Sequence, residues 1–361
     1  MQGIVIFKEG GIKRIAMNYL DLFSGIGGFH EGLNQAGFKF DWTGYSEISE
    51  YAKQIYRKHF PEAEDLGDVR TIRTDRLPKI NLITFGFPCQ DLSTAGKRAG
   101  LAGERSGLFN EAIRIVRDAK PDYFIFENVK GLFSSNSGRD FEYILRTIAD
   151  IGYDGQWQLL NTRWVLPQNR ERIYFVGNFR GRGKRRPEIF PIGEGIGISG
   201  KKNGGKSGEG KRISSAIDSR YGSIRNAGEA YIDIIDDYNA RKTEIPTAIR
   251  QNMHMGGALL KIGIIKKDAQ GQRVYDINGI ACQLTAMGGG WGAKTGLYEI
   301  KKHKGIRRLT PLECERLQGF KGGWTSDISD AQRYKCLGNA VTVPIVKLIA
   351  EKLLNEPINP L

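Results

Sequence analysis

A short apolar run that stops abruptly at a turn constrains this chain more than any other stretch. The run begins at Leu82 and leads through Gly86 and Pro88 to Cys89. Apolar stretches of this length, bounded by turn residues, are typical of strands buried on both faces of a parallel sheet. Because open parallel sheets bind ligands at the carboxyl ends of their strands, the run predicts that Cys89 lies at a ligand site. A lone cysteine is nevertheless more often a small buried apolar residue than a nucleophile.

A glycine-rich turn follows the first predicted strand, Tyr19 to Phe23, and leads into a helix that Gly37 closes. Glycines at such a turn let a ligand approach the backbone and the amides at the helix N-terminus. The spacing of Gly25, Gly27 and Gly28 departs from the Gly-x-Gly-x-x-Gly pattern of dinucleotide enzymes, which disfavours NAD. The turn predicts a nucleotide-like site, although a purely structural turn is roughly as common.

Two acidic residues follow at positions suited to a nucleoside. Glu47 comes directly after the predicted strand from Trp42 to Ser46 and lies 22 residues beyond Gly25. An acid about 20 residues beyond a glycine turn is placed to accept hydrogen bonds from ribose hydroxyls. Asp68 lies in a Gly-Asp-Val-Arg turn and could accept from an adenine amino group. Read alone, such an aspartate is more often a turn or capping residue.

A glutamate and two arginines are the next candidates. Glu127 follows four consecutive apolar residues, Tyr123 to Phe126, in a predicted strand. A carboxyl group in such surroundings is desolvated, which raises its pKa and makes it a proton donor near neutral pH. Alternation along a strand start sends Arg170 and Arg172 to the same side. A surface salt-bridge ladder is the plain alternative for that pair.

Charge and cysteine usage limit the class of protein. A formal charge of +14, from 54 Lys and Arg against 40 Asp and Glu, predicts a nucleic acid partner. The four cysteines form no Cys-x-x-Cys pair and the four histidines are scattered, so we expect neither a metal site nor disulfides. No apolar stretch reaches the ~18 residues that a membrane span needs, and we expect a cytoplasmic protein.

Composition divides the chain. The segment 91–107 is rich in glycine and basic residues, which predicts a lid that closes on phosphate or, equally, a solvated loop. A glycine-rich, basic stretch begins near residue 181 and predicts a domain boundary. Thr310-Pro311-Leu312-Glu313 is a capping box with proline at the first helical position. The predicted parts are an N-terminal extension at 1–16, a main domain at 17–180, a smaller, mostly β or irregular domain at 181–304, and returning helices at 305–361.

Six stretches, in this order, resemble the motifs of DNA cytosine-5 methyltransferases. They are Asp21-Leu-Phe-Ser-Gly-Ile-Gly-Gly-Phe, Gly86-Phe-Pro-Cys-Gln, Phe126-Glu-Asn-Val, Gln168-Asn-Arg-Glu-Arg-Ile, Arg308-Leu-Thr-Pro-Leu-Glu-Cys-Glu-Arg-Leu-Gln-Gly-Phe and Gly338-Asn-Ala-Val. Together they cover about 20–180 and 305–355, and six ordered motifs are far more specific than any one. The resemblance implies a doubly wound, Rossmann-like α/β domain that binds S-adenosylmethionine and faces a target-recognition domain across a DNA cleft.

The resemblance also implies a role for each candidate residue. Cys89 attacks carbon 6 of cytosine, Glu127 holds a proton at ring nitrogen 3, Arg172 binds the base near its carbonyl oxygen, and Arg170 helps to set the environment of the thiolate. The expected cofactor residues are Phe23, Gly25, Ile26, Gly27, Gly28, Glu47, Ile48, Asp68, Val69, Pro88, Leu108 and Asn339. The expected DNA contacts are Ser93, Lys97, Arg98, Arg105, Gln283, Leu284 and Thr285.

The resulting hypothesis is a methyltransferase that flips cytosine out of double-stranded DNA and protects that DNA as half of a restriction-modification pair. Methylation of tRNA is one alternative, against which the size of 181–304 argues. A catalytically silent DNA-binding relative is another, against which the complete set of Cys89, Glu127, Arg170 and Arg172 argues. We expect no metal, a cognate endonuclease acting independently, and a cytoplasmic monomer associated with the nucleoid through DNA.

Overall fold

A seven-stranded mixed sheet forms the centre of the molecule. The computed structural model describes residues 17–87, 107–180, 187–192, 259–264, 272–276, 279–286, 292, 294–300 and 305–355. The strands before residue 181 are β1 (Asn18–Leu22), β2 (Trp42–Ser46), β3 (Glu64–Asp65), β4 (Leu82–Phe85), β5 (Tyr123–Val129), β6 (Tyr153–Asn161), β7 (Gln168–Asn169) and β8 (Glu171–Phe179), and all of them except β7 belong to this sheet. The sheet order is β3-β2-β1-β4-β5-β8-β6, and β8 is antiparallel to both of its neighbours.

Helices cover both faces of this sheet, as a doubly wound α/β fold requires. They are α1 (Gly28–Gln35), α2 (Glu50–His59), α3 (Gly107–Ala119), α4 (Arg139–Asp150), α5 (Pro311–Gln318), α6 (Asp330–Asn339) and α7 (Val343–Asn355). Phe109 of α3 and Ile144 of α4 belong to one apolar cluster, and Leu33 of α1 and Val346 of α7 belong to another. The predicted fold class is confirmed.

Two strand ends differ from the sequence prediction, each for a local reason. Phe23 has φ +53°, a left-handed conformation that cannot continue β1, so the strand stops at Leu22. The strand predicted to stop at Phe126 continues as β5 to Val129, because Glu127 pairs with Tyr174 of β8. Glu127 is therefore held within a rigid strand rather than in a loop after it.

The C-terminal helices begin as the capping signal predicts. Thr310 Oγ1 accepts from the Glu313 N–H at 3.3 Å, and Glu313 Oε2 accepts from the Thr310 N–H at 2.8 Å. Pro311 is the first residue of α5, where its missing N–H removes no helical hydrogen bond. Every helix in the described ranges is too short or too polar to cross a lipid bilayer.

The described residues between 181 and 310 form β and irregular structure. A four-stranded sheet has the order β13-β12-β10-β9, from β9 (Lys261–Ile264), β10 (Arg273–Asp276), β12 (Leu297–Ile300) and β13 (Gly305–Arg307). A separate strand, β11 (Ala281–Cys282), pairs in parallel with β7. Backbone hydrogen bonds thus join the segment around β11 to β7, the short strand that precedes β8.

Candidate active site

The turn after β1 leaves open space beside a fixed carboxylate. Gly25 has φ +55°, and a side chain there would meet no atom of the described residues within 4 Å. Its N–H donates to Glu47 Oε2 at 3.0 Å. Glu47 Oε1 accepts from the N–H groups of Ile48 and Ser49 at 2.9 and 2.8 Å, which delays the start of α2 until Glu50. The two residues that the sequence spacing associated are therefore directly hydrogen-bonded.

The other glycines of the turn serve packing. A Cβ on Gly27 would stand 2.3 Å from the Phe60 ring, and one on Gly28 would stand 2.7 Å from Val341. Both positions thus let α1 begin against neighbouring side chains. Ser24 differs, because its buried Oγ has no hydrogen-bond partner among the described residues. The open space at Gly25, the Glu47 carboxylate and the Ser24 hydroxyl fit a small polar ligand.

The remaining predicted cofactor residues have different environments. Ile48 is 72% exposed, so its side chain is available to a flat ligand. Asp68 caps a short helical turn by accepting from the Arg70 N–H at 3.0 Å, and hydrogen bonds from Arg70 hold the pKa of Asp68 below its usual range. Val69 is buried, Phe23 and Leu108 are half-buried, Asn339 is exposed at the end of α6, and Pro88 lies outside the described residues.

Glu127 and Arg172 form a nearly buried ion pair. Arg172 Nε lies 3.0 Å from Glu127 Oε1, and the two side chains are 13% and 10% exposed. Burial raises the pKa of Glu127, while the charges of Arg172 and Arg170 lower it, and the net shift is upward. Glu127 therefore keeps a proton to higher pH than an ordinary glutamate does, as its apolar surroundings in the sequence predicted.

Two residues near the carboxyl end of β5, Glu127 and Asn128, lie against the turn that follows β4 and leads to Cys89. A Cβ on Gly86 would stand 3.6 Å from Glu127 Oε2, which places this carboxyl group beside the turn. Asn128 Nδ2 donates to the Phe87 carbonyl at 3.3 Å. Cys89 itself lies outside the described residues, as do the predicted lid contacts Ser93, Lys97, Arg98 and Arg105.

Arg170 occupies a different environment from Arg172. It is 2% exposed, which excludes the surface salt-bridge ladder. Its Nη1 donates to the carbonyls of Leu284 and Gly338 at 3.0 and 3.2 Å, and its Nη2 donates to the Ala340 carbonyl at 2.9 Å. Arg170 thus ties the start of β8 to three distant backbone groups. Alternation along the strand does not distinguish these two arginines.

Two buried glutamines, Gln168 and Gln318, extend this network, and neither is among the residues predicted from the sequence. Gln168 Oε1 accepts from the Leu284 N–H at 3.0 Å, and Gln168 Nε2 donates to the Leu317 carbonyl at 2.8 Å. Gln318 Nε2 donates to the Leu337 carbonyl at 2.7 Å. Both glutamines lie in stretches that resemble family motifs, and their places in those motifs are the sequence feature that could have identified them.

The predicted DNA contacts near β11 divide into buried and accessible residues. Leu284 is 2% exposed and belongs to the apolar cluster that includes α5 and α6, so its side chain has little surface for a base. Gln283 and Thr285 on either side are half-buried. Among the described residues, no cluster of three or more His, Cys, Asp or Glu side chains is suited to a metal ion.

Comparison with known proteins gives a consistent result. The sequence profile described as C-5 cytosine-specific DNA methylase matches residues 17–355. The chain is 30% identical to the type II methyltransferase M.HhaI of Haemophilus parahaemolyticus, over 92% of this chain and 93% of that protein. It is 32% identical to the type II methyltransferase M1.ScrFI of Lactococcus lactis subsp. cremoris, over 95% of this chain and 79% of that protein.

Solved structures share the fold. The Entamoeba histolytica methyltransferase EhMeth has a TM-score of 0.61 at 18% identity, covering 94% of this chain and 98% of that one. The S. pombe Dnmt2 methyltransferase has a TM-score of 0.60 at 20% identity, with the same coverage of 94% and 98%. At these identities the likeness concerns the fold alone.

Proposed function

The chain belongs to the C-5 cytosine-specific DNA methylase family and is a DNA cytosine-5 methyltransferase, and we propose that it works through a covalent intermediate on Cys89 with S-adenosylmethionine as methyl donor. We propose a short, specific sequence of double-stranded DNA as its substrate. One observation carries the proposal: the buried Glu127–Arg172 pair lies beside the turn that leads to Cys89.

The chemistry explains why a thiol and a proton-carrying acid are needed together. Carbon 5 of cytosine is too weak a nucleophile to take a methyl group directly. A Cys89 thiolate that bonds to carbon 6 shifts an electron pair toward carbon 5, while the Glu127 proton at ring nitrogen 3 offsets the developing negative charge. The positive charge of Arg172 stabilises the Glu127 carboxylate as this proton passes to the ring nitrogen. Carbon 5 would then take the methyl group that the bound donor supplies. Loss of the proton on carbon 5 to a base leaves an electron pair that re-forms the ring double bond as the bond between carbon 6 and sulfur breaks.

The residues of the glycine turn fit the proposed donor. S-adenosylmethionine supplies an electrophilic methyl group on a sulfonium. Glu47 Oε1 already accepts two backbone N–H groups and Oε2 accepts one, so Oε2 keeps a lone pair for a ribose hydroxyl. The open space at Gly25 allows close approach of the methionine part, and the exposed Ile48 could pack on the adenine.

The DNA side of the proposal follows from the geometry of the duplex. A base within the stack hides carbon 6, so the target must leave the helix at a cost of about a few kcal/mol. We propose that the 91–107 lid holds the flipped base and that residues 181–304, through Gln283 and Thr285 among others, read the surrounding sequence. The names of the type II relatives support a role as the methylase of a restriction-modification system. An independent endonuclease, a monomeric state and a cytoplasmic, nucleoid-associated location belong to the same proposal.

Labelled methyl transfer tests this function. Wild-type protein is expected to methylate duplex DNA in preference to tRNA and to form a denaturation-resistant adduct with an oligonucleotide containing 5-fluorocytosine. Cys89→Ala is expected to lose both, whereas Cys336→Ala should keep both, because burial raises the pKa of the Cys336 thiol to about 11. Transfer that persists in Cys89→Ala, or that occurs on tRNA alone, would contradict the proposal.

A further inference from the structure

The glycine turn after β1 is held by a residue from the far end of the chain. Trp324 Nε1 donates to the Ile26 carbonyl at 3.0 Å across a sequence separation of 298 residues. Both residues are buried, Ile26 at 1% exposure and Trp324 at 6%. Ile26 lies between Gly25 and Gly27, so this hydrogen bond holds the middle of the turn. Gly25 has no side chain to restrain its own position.

Trp324 is itself held against α2. Its ring stacks on the His59 ring with a centroid distance of 3.6 Å and an interplanar angle of 5°. His59 Nε2 lies 2.8 Å from the Trp324 carbonyl, and Lys58 Nζ lies 2.8 Å from the Asp327 carboxylate. Because Lys58 and His59 are the last residues of α2, the helix that follows Glu47, the turn around Trp324 links the Ile26 carbonyl to the C-terminal end of that helix.

A buried carboxylate shapes the turn that presents Trp324. Glu315 is 0% exposed, and its oxygens accept from the N–H groups of Gly323 and Thr325 at 2.6 and 2.9 Å. Arg333 Nη2 lies 3.1 Å from the same carboxylate. Burial alone would raise the pKa of Glu315. The hydrogen bonds from Thr325, Gly323 and Arg333 lower this pKa by more, so it lies below the usual range of a glutamate. Glu315 is thus ionised at neutral pH and holds the residues on either side of Trp324.

We propose that Trp324, held in place by Glu315, is a positioning residue for the methyl donor: it fixes the Ile26 carbonyl and thereby the Gly25–Glu47 pocket. The inference rests on the proposed use of S-adenosylmethionine. A buried carbonyl that loses its donor must find another partner, and the glycine turn is free to move in search of one. Cofactor affinity therefore depends on a residue that acts on the cofactor pocket through the Ile26 carbonyl.

Calorimetric titration with S-adenosylhomocysteine tests the inference without methyl transfer. Trp324→Phe keeps a ring that stacks on His59 but lacks the N–H donor, and it is expected to raise Kd roughly three- to tenfold. Trp42→Phe is the matched control, because Trp42 Nε1 donates to Glu64 Oε2 at the same distance, 3.0 Å, and Trp42 pairs with Asn18 at the amino end of β1, the opposite end of that strand from the glycine turn. Trp42→Phe should bind like the wild type.

Steady-state kinetics separate positioning from general stability. In Trp324→Phe the KM for S-adenosylmethionine should rise by the same factor as Kd, while KM for DNA and kcat at saturation stay unchanged. Glu315→Gln keeps the size of the side chain but not its charge. This variant should also raise the Kd for S-adenosylhomocysteine. This second variant carries the test if Trp324→Phe does not fold.

Each outcome has one meaning. A folded Trp324→Phe with wild-type Kd, or one that is less stable without a change in Kd, overturns the inference. Unchanged affinity in Glu315→Gln overturns it as well. If the wild-type protein does not bind S-adenosylhomocysteine, the proposed function is at fault, and that result is distinguishable because it precedes any comparison of variants.

Discussion

Asp21 in β1, four residues before Gly25, shows how burial changes a single carboxyl group. Thr84 Oγ1 donates to Asp21 Oδ1 at 2.8 Å, and the Tyr56 hydroxyl donates to Oδ2 at 3.4 Å. Burial raises the pKa of Asp21 to about 7, since the hydroxyl groups of Thr84, Tyr19 and Tyr56 only partly offset the loss of water. The folded protein therefore binds this proton more tightly than the unfolded chain does.

A pH dependence of stability follows from Asp21. Between about pH 4 and pH 7 the unfolded chain loses the proton before the folded protein does, so rising pH lowers the free energy of unfolding. The slope from this group approaches about −1.4 kcal/mol per pH unit. Urea denaturation between about pH 4 and pH 7 should show that the free energy of unfolding falls more steeply with pH in the wild type than in Asp21→Asn. Parallel pH profiles for the two proteins would contradict the prediction.

Glu127 gives a second prediction at the residue scale. Glu127→Gln keeps the shape of the side chain but removes the acidic proton, so single-turnover methyl transfer is expected to fall by about 10²- to 10⁴-fold. Binding of S-adenosylhomocysteine should not change. Glu171→Gln is the control, because Glu171 pairs with Lys130 at 3.1 Å and lies only one residue from Arg172. A similar loss in both variants would show that the effect is not specific to Glu127.

At the scale of elements, the end of α6 packs directly on the segment after β11. A Cβ on Gly338 would stand 2.3 Å from the backbone of Thr285 and Ala286, and backbone atoms cannot rotate away as a side chain does. Arg170 and Gln168 hold the same segment through the backbone of Leu284. The contact between α6 and this segment is therefore both close and hydrogen-bonded.

Gly338→Ala is expected to push the end of α6 away from the segment after β11. The added methyl group should lower the free energy of unfolding by about 1–3 kcal/mol, the usual range for overpacking. Gly107→Ala is the matched control, because a Cβ at this first residue of α3 would meet no atom within 4 Å in the part of the chain that the structure describes. Urea denaturation of both variants measures the difference. Equal stability of the two variants would contradict the close packing seen at Gly338.

At the scale of the whole molecule, the charge of +14 predicts how DNA binding responds to salt. Each phosphate neutralised by Lys or Arg releases counterions, so affinity falls as salt rises. If six to ten phosphates are contacted, affinity should fall by about 10³- to 10⁵-fold between about 50 and 200 mM salt. Fluorescence anisotropy with a labelled duplex measures this slope. A weak salt dependence would show that the excess charge lies away from the DNA.

Local patterns in the sequence determined much of the fold and part of the site. Apolar runs and turn residues predicted the strand from Trp42 to Ser46 with its observed bounds, and the Thr310 capping box predicted the start of α5. The spacing between Gly25 and Glu47 assigned both residues to one predicted ligand site, and the structure joins them by a direct hydrogen bond that the spacing did not predict. These signals succeed because secondary structure depends mainly on residues a few positions apart.

Tertiary structure decided what those patterns leave open. It extended β5 through Glu127 by pairing with β8, gave Arg172 a carboxylate partner, and gave Arg170 backbone carbonyls from distant segments. It also brought Trp324 to the carbonyl of Ile26. Such partners are set by which segments meet when the chain closes long loops, and neither periodicity nor spacing along the sequence carries that information.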